Sequence, residues 1–284
     1  MFYTITLNHQ HTNNHLPPTE LLANKHCVCF DDTNTRSKQS FADQPSHLYV
    51  CDKMKGHMKH RHDVIRNVLC KLFNDIGTYT TTEPQLSCNT SVNEHGVSVS
   101  HQPMRADLYV QVDGIEYYVD ISVVCPSGNE YVNQYGSDKH ALKACGVQAR
   151  DKCNKYKGPL PSHITDDHFI PLVMETYGGI NDKGDSFIKH LCTTCCDTAD
   201  VQYNHIMNVL SATLQMCNGQ MSYNGLTQHR INNTYHTMTL HQYHQERTMY
   251  TLQQYVSNVI DIDWSTEQRC RNPIISQHED QLNI

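Results

Sequence analysis

The clearest alternation of apolar and polar side chains in the chain runs through residues 104–126. Two segments rich in Val, Ile and Tyr flank Asp113-Gly114, a dipeptide that readily adopts the positive φ angles of a tight two-residue turn. Aliphatic side chains recur at every second position, as in strands, and they are Leu108, Val110, Val112, Val119, Ile121 and Val123. The pattern predicts a β-hairpin that turns at Asp113-Gly114.

Two acidic residues of this hairpin lie on its less apolar face. Asp107 is out of phase with the aliphatic positions of the first strand, and Asp120 is out of phase with those of the second. A turn at Asp113-Gly114 would direct both carboxylates to the same side of adjacent antiparallel strands. We therefore expect Asp107 and Asp120 to converge, in an arrangement that suits one metal ion.

Helical periodicity is clearest in residues 62–76. Apolar side chains follow one another there at steps of one, three and four, and Gly77 is typical of a helix C terminus. The β-branched and aromatic residues 78–82 then predict a strand, and residues 87–103 are expected to form a variable loop.

A second helix is predicted for residues 137–156, which open with Ser-Asp and end before Gly158-Pro159. Helical spacing places one set of side chains on a common face, namely Ala141, Cys145, Gln148, Lys152 and either Lys155 or Tyr156. Small residues at the start of this face allow close packing on a sheet, so we expect the lysines at the far end to meet that sheet.

The remaining periodic segments complete the outline of the fold. Residues 169–176 predict a strand in which Pro171 favours an edge position or a strand start, and a helix is expected near residues 183–196. The order of helix, strand, hairpin, helix, strand and helix predicts an α/β sandwich with a mixed sheet. Residues beyond 200 show a helical pattern.

Composition limits the class of protein. The chain has 284 residues, of which 38% are hydrophobic, and this is enough for one core. No apolar run approaches the roughly 20 residues that span a bilayer, and the first residues lack the pattern of a signal peptide, so we expect a soluble, intracellular protein. The net charge of −7 argues against indiscriminate nucleic-acid binding, although a local basic patch would not appear in that sum.

Cysteine and histidine are abundant, with 13 and 20 residues. Cys27 and Cys29 form one close couple and His47 and Cys51 another, which is how short loops supply tetrahedral zinc ligands. These spacings alone leave open that the cysteines are unrelated to a metal. A basic run, residues 53–62, follows directly and precedes the first predicted helix.

These elements together resemble the PD-(D/E)XK nucleases, and most closely the restriction-like endonuclease domain of site-specific non-LTR retrotransposons. That family has a Cys-Cys-His-Cys knuckle, an Arg-His-Asn/Asp helix start, two acids about a dozen residues apart, and a Lys-x-x-Lys-Tyr-like segment. The matching positions are Cys27, Cys29, His47 and Cys51, then Arg61-His62-Asp63, then Asp107 and Asp120, then Lys152, Lys155 and Tyr156. The resemblance covers about residues 27 to 195.

The resemblance implies a restriction-endonuclease-like core with the element order αβββαβ and a Mg²⁺-dependent DNA endonuclease activity. It implies that Asp107 and Asp120 bind Mg²⁺, that Glu83 is a possible third ligand, and that Lys152 is catalytic. The implied nucleic-acid contacts are Lys59, Arg61, His62, Lys155 and Tyr156. It also implies a structural Zn²⁺ at the knuckle, a nuclear location, and a reverse transcriptase on another or longer chain as partner.

On this basis the chain divides into four parts. They are a poorly ordered segment at 1–26, a zinc knuckle and basic segment at 27–60, a nuclease core at 61–200, and a helical appendage at 201–284.

Two positions depart from the family pattern. The proline expected before the first acid is Ala106, which is a minor change because that proline does no chemistry. The lysine expected two residues after the second acid is Ser122. Some family members supply this lysine from the following helix, and here Lys152 is the first candidate and Lys155 the reserve. If no lysine reaches the acids, a DNA-binding protein that does not cleave is the better interpretation; a zinc-stabilised interaction protein is a third hypothesis.

Overall fold

The computed structural model describes residues 45–51, 54–86, 90–92, 98–100, 105–156 and 165–228. A short 3-10 helix, Pro45–Tyr49, precedes the regular elements. These elements are α1 (Lys55–Asp75), β1 (Tyr79–Thr82), β2 (Thr90–Val92), β3 (Ser98–Ser100), β4 (Leu108–Val112), β5 (Ile115–Val124), α2 (Asn129–Tyr135), α3 (Lys143–Tyr156), β6 (Phe169–Glu175), α4 (Asp182–Cys195) and α5 (Ala199–Gln228).

The predicted hairpin is confirmed as β4 and β5. The strands pair antiparallel from Leu108 opposite Val119 to Val112 opposite Ile115. Asp113 and Gly114 form the turn with φ angles of 49° and 76°. Positive φ at both central residues is the geometry of a type I′ turn, whose twist matches that of the strands it joins.

The main sheet has four strands in the order β1-β4-β5-β6. β1 and β4 pair antiparallel, and β6 runs parallel to β5, so the sheet is mixed. Pro171 lies in β6, which is an edge strand of this sheet. Proline is tolerated there because an edge strand does not need every N–H for pairing. The general architecture that we expected, an α/β fold with a mixed sheet flanked by helices, is confirmed.

One face of the sheet packs against α1 and α4, and α5 packs on these two helices. The aliphatic residues of the hairpin meet the apolar stripe of α1, with Ile65, Val68 and Leu69 fully buried. Helix α5 contributes Ile206, Val209 and Leu210 to the same cluster. The helix that we assigned to a C-terminal appendage is therefore part of the core, which its own periodicity could not reveal.

The opposite face of the sheet packs against α3. Ala144 and Cys145 are buried against Val124 of β5 and Val173 of β6. The helix begins at Lys143 rather than at residue 137 as predicted, and Ala141 is exposed in the preceding turn. The left-handed φ of 58° at Leu142 prevents the helix from extending further back, and the Ser137 hydroxyl donates to the Pro126 carbonyl instead of capping a helix.

Two further boundaries differ from the predictions. Helix α1 begins at Lys55, so the basic run is largely helical rather than a separate connector. The expected loop at 87–103 contains β2 and β3, which pair antiparallel as a separate two-stranded sheet. Within the described ranges, no helix combines the length and the apolarity that crossing a membrane requires.

Two glycines test the backbone of this fold. Gly114 has φ +76° in the hairpin turn, Gly146 lies inside α3, and an added Cβ would meet nothing within 4 Å at either position. Gly114→Ala should lower the free energy of unfolding by about 1–2 kcal/mol, because an L-residue is strained in the left-handed region. Gly146→Ala should raise it by about 0.5–1 kcal/mol, because alanine loses less entropy in a helix. Urea unfolding followed by circular dichroism measures both, and changes of the same sign would contradict the assignment of the turn.

Candidate active site

The sheet brings the two acids of the hairpin together. Asp107 directly precedes β4, and its N–H donates to the Val119 carbonyl of β5 at 3.0 Å. This pairing places Asp107 beside Asp120, and the negative charge of Asp107 acts on the Asp120 carboxyl group. The side chains are 17% and 8% exposed, so two like charges share a poorly solvated place.

Asp107 is held by a backbone amide and by a histidine. The Ile121 N–H donates to Asp107 Oδ2 at 2.5 Å, and His62 Nε2 of α1 lies 3.1 Å from the same oxygen. Burial alone would raise the pKa of Asp107, but the hydrogen bond and charge of His62, together with the Ile121 amide, outweigh it and hold the pKa below its ordinary value.

His62 faces a carboxylate on each side of its ring. Its Nδ1 lies 3.3 Å from Asp63 Oδ1, while its Nε2 contacts Asp107. Only the imidazolium form can donate from both nitrogens. The pKa of His62 is raised, chiefly by the hydrogen bond to Asp107, although partial burial opposes the shift.

Asp120 is held from α3. The Lys152 ammonium donates to Asp120 Oδ2 and to the Ile121 carbonyl at 3.2 Å, and the Tyr156 hydroxyl lies 3.3 Å from Asp120 Oδ1. Burial raises the pKa of Asp120, and Asp107 raises it further, although the charge of Lys152 acts in the opposite direction. Asp120 therefore takes a proton more readily than Asp107 does.

Lys152 is the lysine that reaches the acids. Lys155, the reserve candidate, is exposed, with its Nζ 5.2 Å from the centre of the Tyr156 ring. Lys139 is exposed in the turn before α3. Ser122 lies two residues after Asp120 on the same face of β5, and its buried Oγ has no hydrogen-bond partner among the described residues. The structure thus brings Asp107, Asp120 and Lys152 together, as we expected from their spacing.

The backbone of Glu83 is bonded to that of Asp107, but the Glu83 carboxylate forms ion pairs with other residues. Its N–H donates to the Asp107 carbonyl at 2.9 Å, whereas its carboxylate forms ion pairs with Arg66 and, at 3.4 Å, with Arg105. The geometry therefore binds Glu83 to two arginines rather than to the acid pair.

Two expected nucleic-acid contacts lie in positions that do not fit that role. Arg61 is only 3% exposed, and it donates to Asn218 Oδ1 of α5 at 2.7 Å. Burial lowers the pKa of Arg61. The ring of Tyr156 is buried and stacks on Phe169 with 4.6 Å between centroids. A phosphate or base would have to enter the core to touch either side chain.

Lys59 and Lys155 are exposed, so their expected contacts with phosphates stay predictions. Our sequence reasoning missed Arg66 and Arg105, the partners of Glu83. Their positions carried a signal, because Arg66 follows His62 by one helical turn and Arg105 precedes Asp107 by two residues.

Half of the expected zinc knuckle lies within the described residues. The Cys51 N–H donates to the His47 carbonyl at 2.9 Å, which closes one turn at the end of the 3-10 helix. Cys51 is buried beside Met54, Cys125 and Met221. Cys27 and Cys29 lie outside the described residues, so the zinc site stays a prediction.

The acid pair suits a hard divalent cation in its chemistry. Mg²⁺ prefers carboxylate oxygens, and usually one or two carboxylates hold it together with water and substrate phosphates. Asp107 and Asp120 supply two such groups so close that their charges oppose each other. In the part of the chain that the structure describes, no cluster of three or more His, Cys, Asp or Glu residues could hold a metal ion.

A scan against models of known protein families gives no match. A search of curated proteins also finds no significant match.

The contact between His62 and Asp107 can be measured directly. Asp107→Asn should lower the pKa of His62 towards its ordinary value of about 6.5, because the variant removes the negative charge that stabilises the imidazolium. Asp63→Asn should lower it less, because Asp63 contributes less to the shift. Histidine ring signals followed by NMR against pH report both values, with His62→Gln used for assignment. A larger effect from Asp63→Asn would contradict this geometry.

Proposed function

We propose that this protein is a metal-dependent endonuclease that hydrolyses phosphodiester bonds in DNA. The observation that supports the proposal best is that Asp107, Asp120 and Lys152 come together from the residue before β4, from β5 and from α3. Charges withdrawn from water need compensation, and carboxyl groups whose pKa is shifted by burial and by a specific charged partner are frequent at functional sites.

In this proposal Asp107 and Asp120 hold Mg²⁺. When bound, the ion would neutralise charge that develops on the non-bridging phosphate oxygens and would help the leaving oxygen. The two acids differ in their surroundings: the contact with His62 helps to lower the pKa of Asp107, whereas burial and the charge of Asp107 raise the pKa of Asp120 against the opposing charge of Lys152.

Lys152 supplies the cation that the family pattern places two residues after the second acid. Its ammonium contacts Asp120, so a phosphate that approaches the acid pair comes near this charge. There it can orient an attacking water or stabilise negative charge on the phosphoryl group. His62 acts one step away by keeping Asp107 ionised and correctly oriented.

Exposed cations around the acids provide the contacts to the DNA backbone. Lys59 of α1 and Lys155 of α3 are the expected ones, and Arg105 is a further candidate because its side chain is 53% exposed close to Asp107. Such contacts fix the position of the duplex without reading its bases. The net charge of −7 confines binding to this local surface.

The resemblance also supplies the biological setting of the proposal. We place the chain in a retrotransposon or in a protein derived from one, with DNA in the nucleus as substrate and a reverse transcriptase on another or longer chain as partner. A zinc ion at Cys27, Cys29, His47 and Cys51 would stabilise the segment before α1.

The main alternative is a protein of the same ancestry that binds DNA without cutting it. Ser122 favours this alternative because the usual lysine is missing, but the contact between Lys152 and Asp120 favours cleavage. A zinc-stabilised interaction protein would neither bind nor cut DNA.

Asp120→Asn tests the metal site. Nicking of supercoiled plasmid in Mg²⁺ should be abolished, because one of the two carboxylate ligands is lost. DNA binding in a gel shift should change by less than about threefold, because the contacts to phosphates remain. Wild-type protein in EDTA is the control. Wild-type binding without nicking would favour the non-cleaving alternative, and absence of both would favour the interaction protein.

Lys152→Met and Lys155→Met form a matched pair on one helix. Lys152→Met should slow nicking by about 100- to 1,000-fold, which is the usual cost of losing one preorganised charge at a reacting group. Lys155→Met should keep the nicking rate at saturating DNA within about threefold, since it removes only a contact to the backbone. Thermal melts check that both variants fold. A larger loss of rate in Lys155→Met would show that the catalytic lysine is misassigned.

A further inference from the structure

Tyr156 ends α3 and is buried among aromatic residues. Its ring stacks on Phe169 of β6 with an interplanar angle of 28°, and Leu86 and Tyr118 complete the cluster around it. The side chain is 2% exposed. Buried tyrosines usually give their hydroxyl a hydrogen-bond partner, so the destination of this hydroxyl matters.

The Tyr156 hydroxyl lies between two acceptors, one in the segment before β4 and one in β5. It donates to the Arg105 carbonyl at 2.8 Å, and Asp120 Oδ1 lies 3.3 Å away. Arg105 stands two residues before Asp107, in the segment that leads into β4. The single hydroxyl proton is therefore shared, with its shorter contact to the backbone that carries the first acid and its longer one to the carboxylate of the second.

The same helix also fixes the orientation of the Asp120 carboxylate. Lys152 and Tyr156 are one helical turn apart, so both point from α3 towards the sheet. Lys152 contacts Oδ2, and Tyr156 contacts Oδ1. Because each oxygen has its own partner, rotation of the carboxyl group would break at least one of these contacts.

We propose that Tyr156 is a positioning residue that sets the distance and orientation between Asp107 and Asp120, and so makes them a tight site for a divalent cation. The inference deepens the proposed function, since it concerns the same metal site. Without the hydroxyl, repulsion between the two acids acts against fewer restraints, and the segment at Arg105 loses its link to α3.

Tyr156→Phe removes the hydroxyl and keeps the ring that stacks on Phe169. Partners in the outer shell of a metal site are typically worth 10- to 100-fold in metal affinity, so the Mn²⁺ dissociation constant should rise by about 10- to 100-fold. Electron paramagnetic resonance of free Mn²⁺ measures this constant without cleavage. The Mg²⁺ concentration that gives half-maximal plasmid nicking should rise in parallel, with a smaller change in the rate at saturating Mg²⁺.

Tyr131→Phe is the matched control, because the Tyr131 hydroxyl donates to Gln148 of α3 at 2.9 Å. This variant loses one hydrogen bond to the same helix, so its melting temperature reports the structural cost, while its Mn²⁺ dissociation constant should change by less than about twofold. Equal shifts in the two variants would overturn the proposal, as would an unchanged constant in Tyr156→Phe.

The two readouts separate this inference from the proposed function. If wild-type protein binds Mn²⁺ but nicks no DNA, the endonuclease proposal fails, and the comparison of Tyr156→Phe with Tyr131→Phe still decides the role of Tyr156. If Asp120→Asn binds Mn²⁺ as tightly as wild type does, the acid pair is not a cation site and the inference about Tyr156 is overturned.

Discussion

The candidate site requires the Asp107 and Asp120 carboxyl groups to stay side by side where little water reaches them. Each removal of a carboxylate from water costs several kcal/mol unless other groups replace its hydration, and a neighbouring negative charge adds to this cost. Asp107 accepts a hydrogen bond from a backbone amide and contacts His62. Asp120 accepts a hydrogen bond from the Lys152 ammonium, and the Tyr156 hydroxyl lies 3.3 Å from its other oxygen. The two acids are thus kept together by different means, which leaves their proton affinities unequal.

The strands place the acids, and the helices on either face supply the groups that hold them. The hairpin register puts Asp107 next to Asp120, while His62 reaches in from α1 and Lys152 from α3. No single element contains a working set of side chains. The arrangement therefore exists only when both helices are packed on the sheet. The distances between these side chains depend on the packing of the whole core.

Local patterns predicted the parts that depend on local rules. The Asp113-Gly114 turn, the faces of Asp107 and Asp120, and the approach of Lys152 follow from periods of two and 3.6 residues. Contacts between segments that are distant in the sequence could not be predicted from local patterns. Arg61 was expected on a surface because it stands in a basic run, yet its partner Asn218 is 157 residues further along the chain. Tyr156 shares its motif with an exposed lysine, and spacing alone could not show which of the two is buried.

The contact between Arg61 and Asn218 makes α5 part of the same folding unit as α1. Asn218 also donates to the Thr176 carbonyl at 2.7 Å, so one amide of α5 joins the helix that carries His62 to the end of β6. A chain shortened after α4 would leave a buried guanidinium without this acceptor and the apolar side of α1 without its cover. A unit that keeps these contacts has to include α5 together with α1 and the sheet, so recombination upstream of α5 would separate the sheet from a helix of its own core.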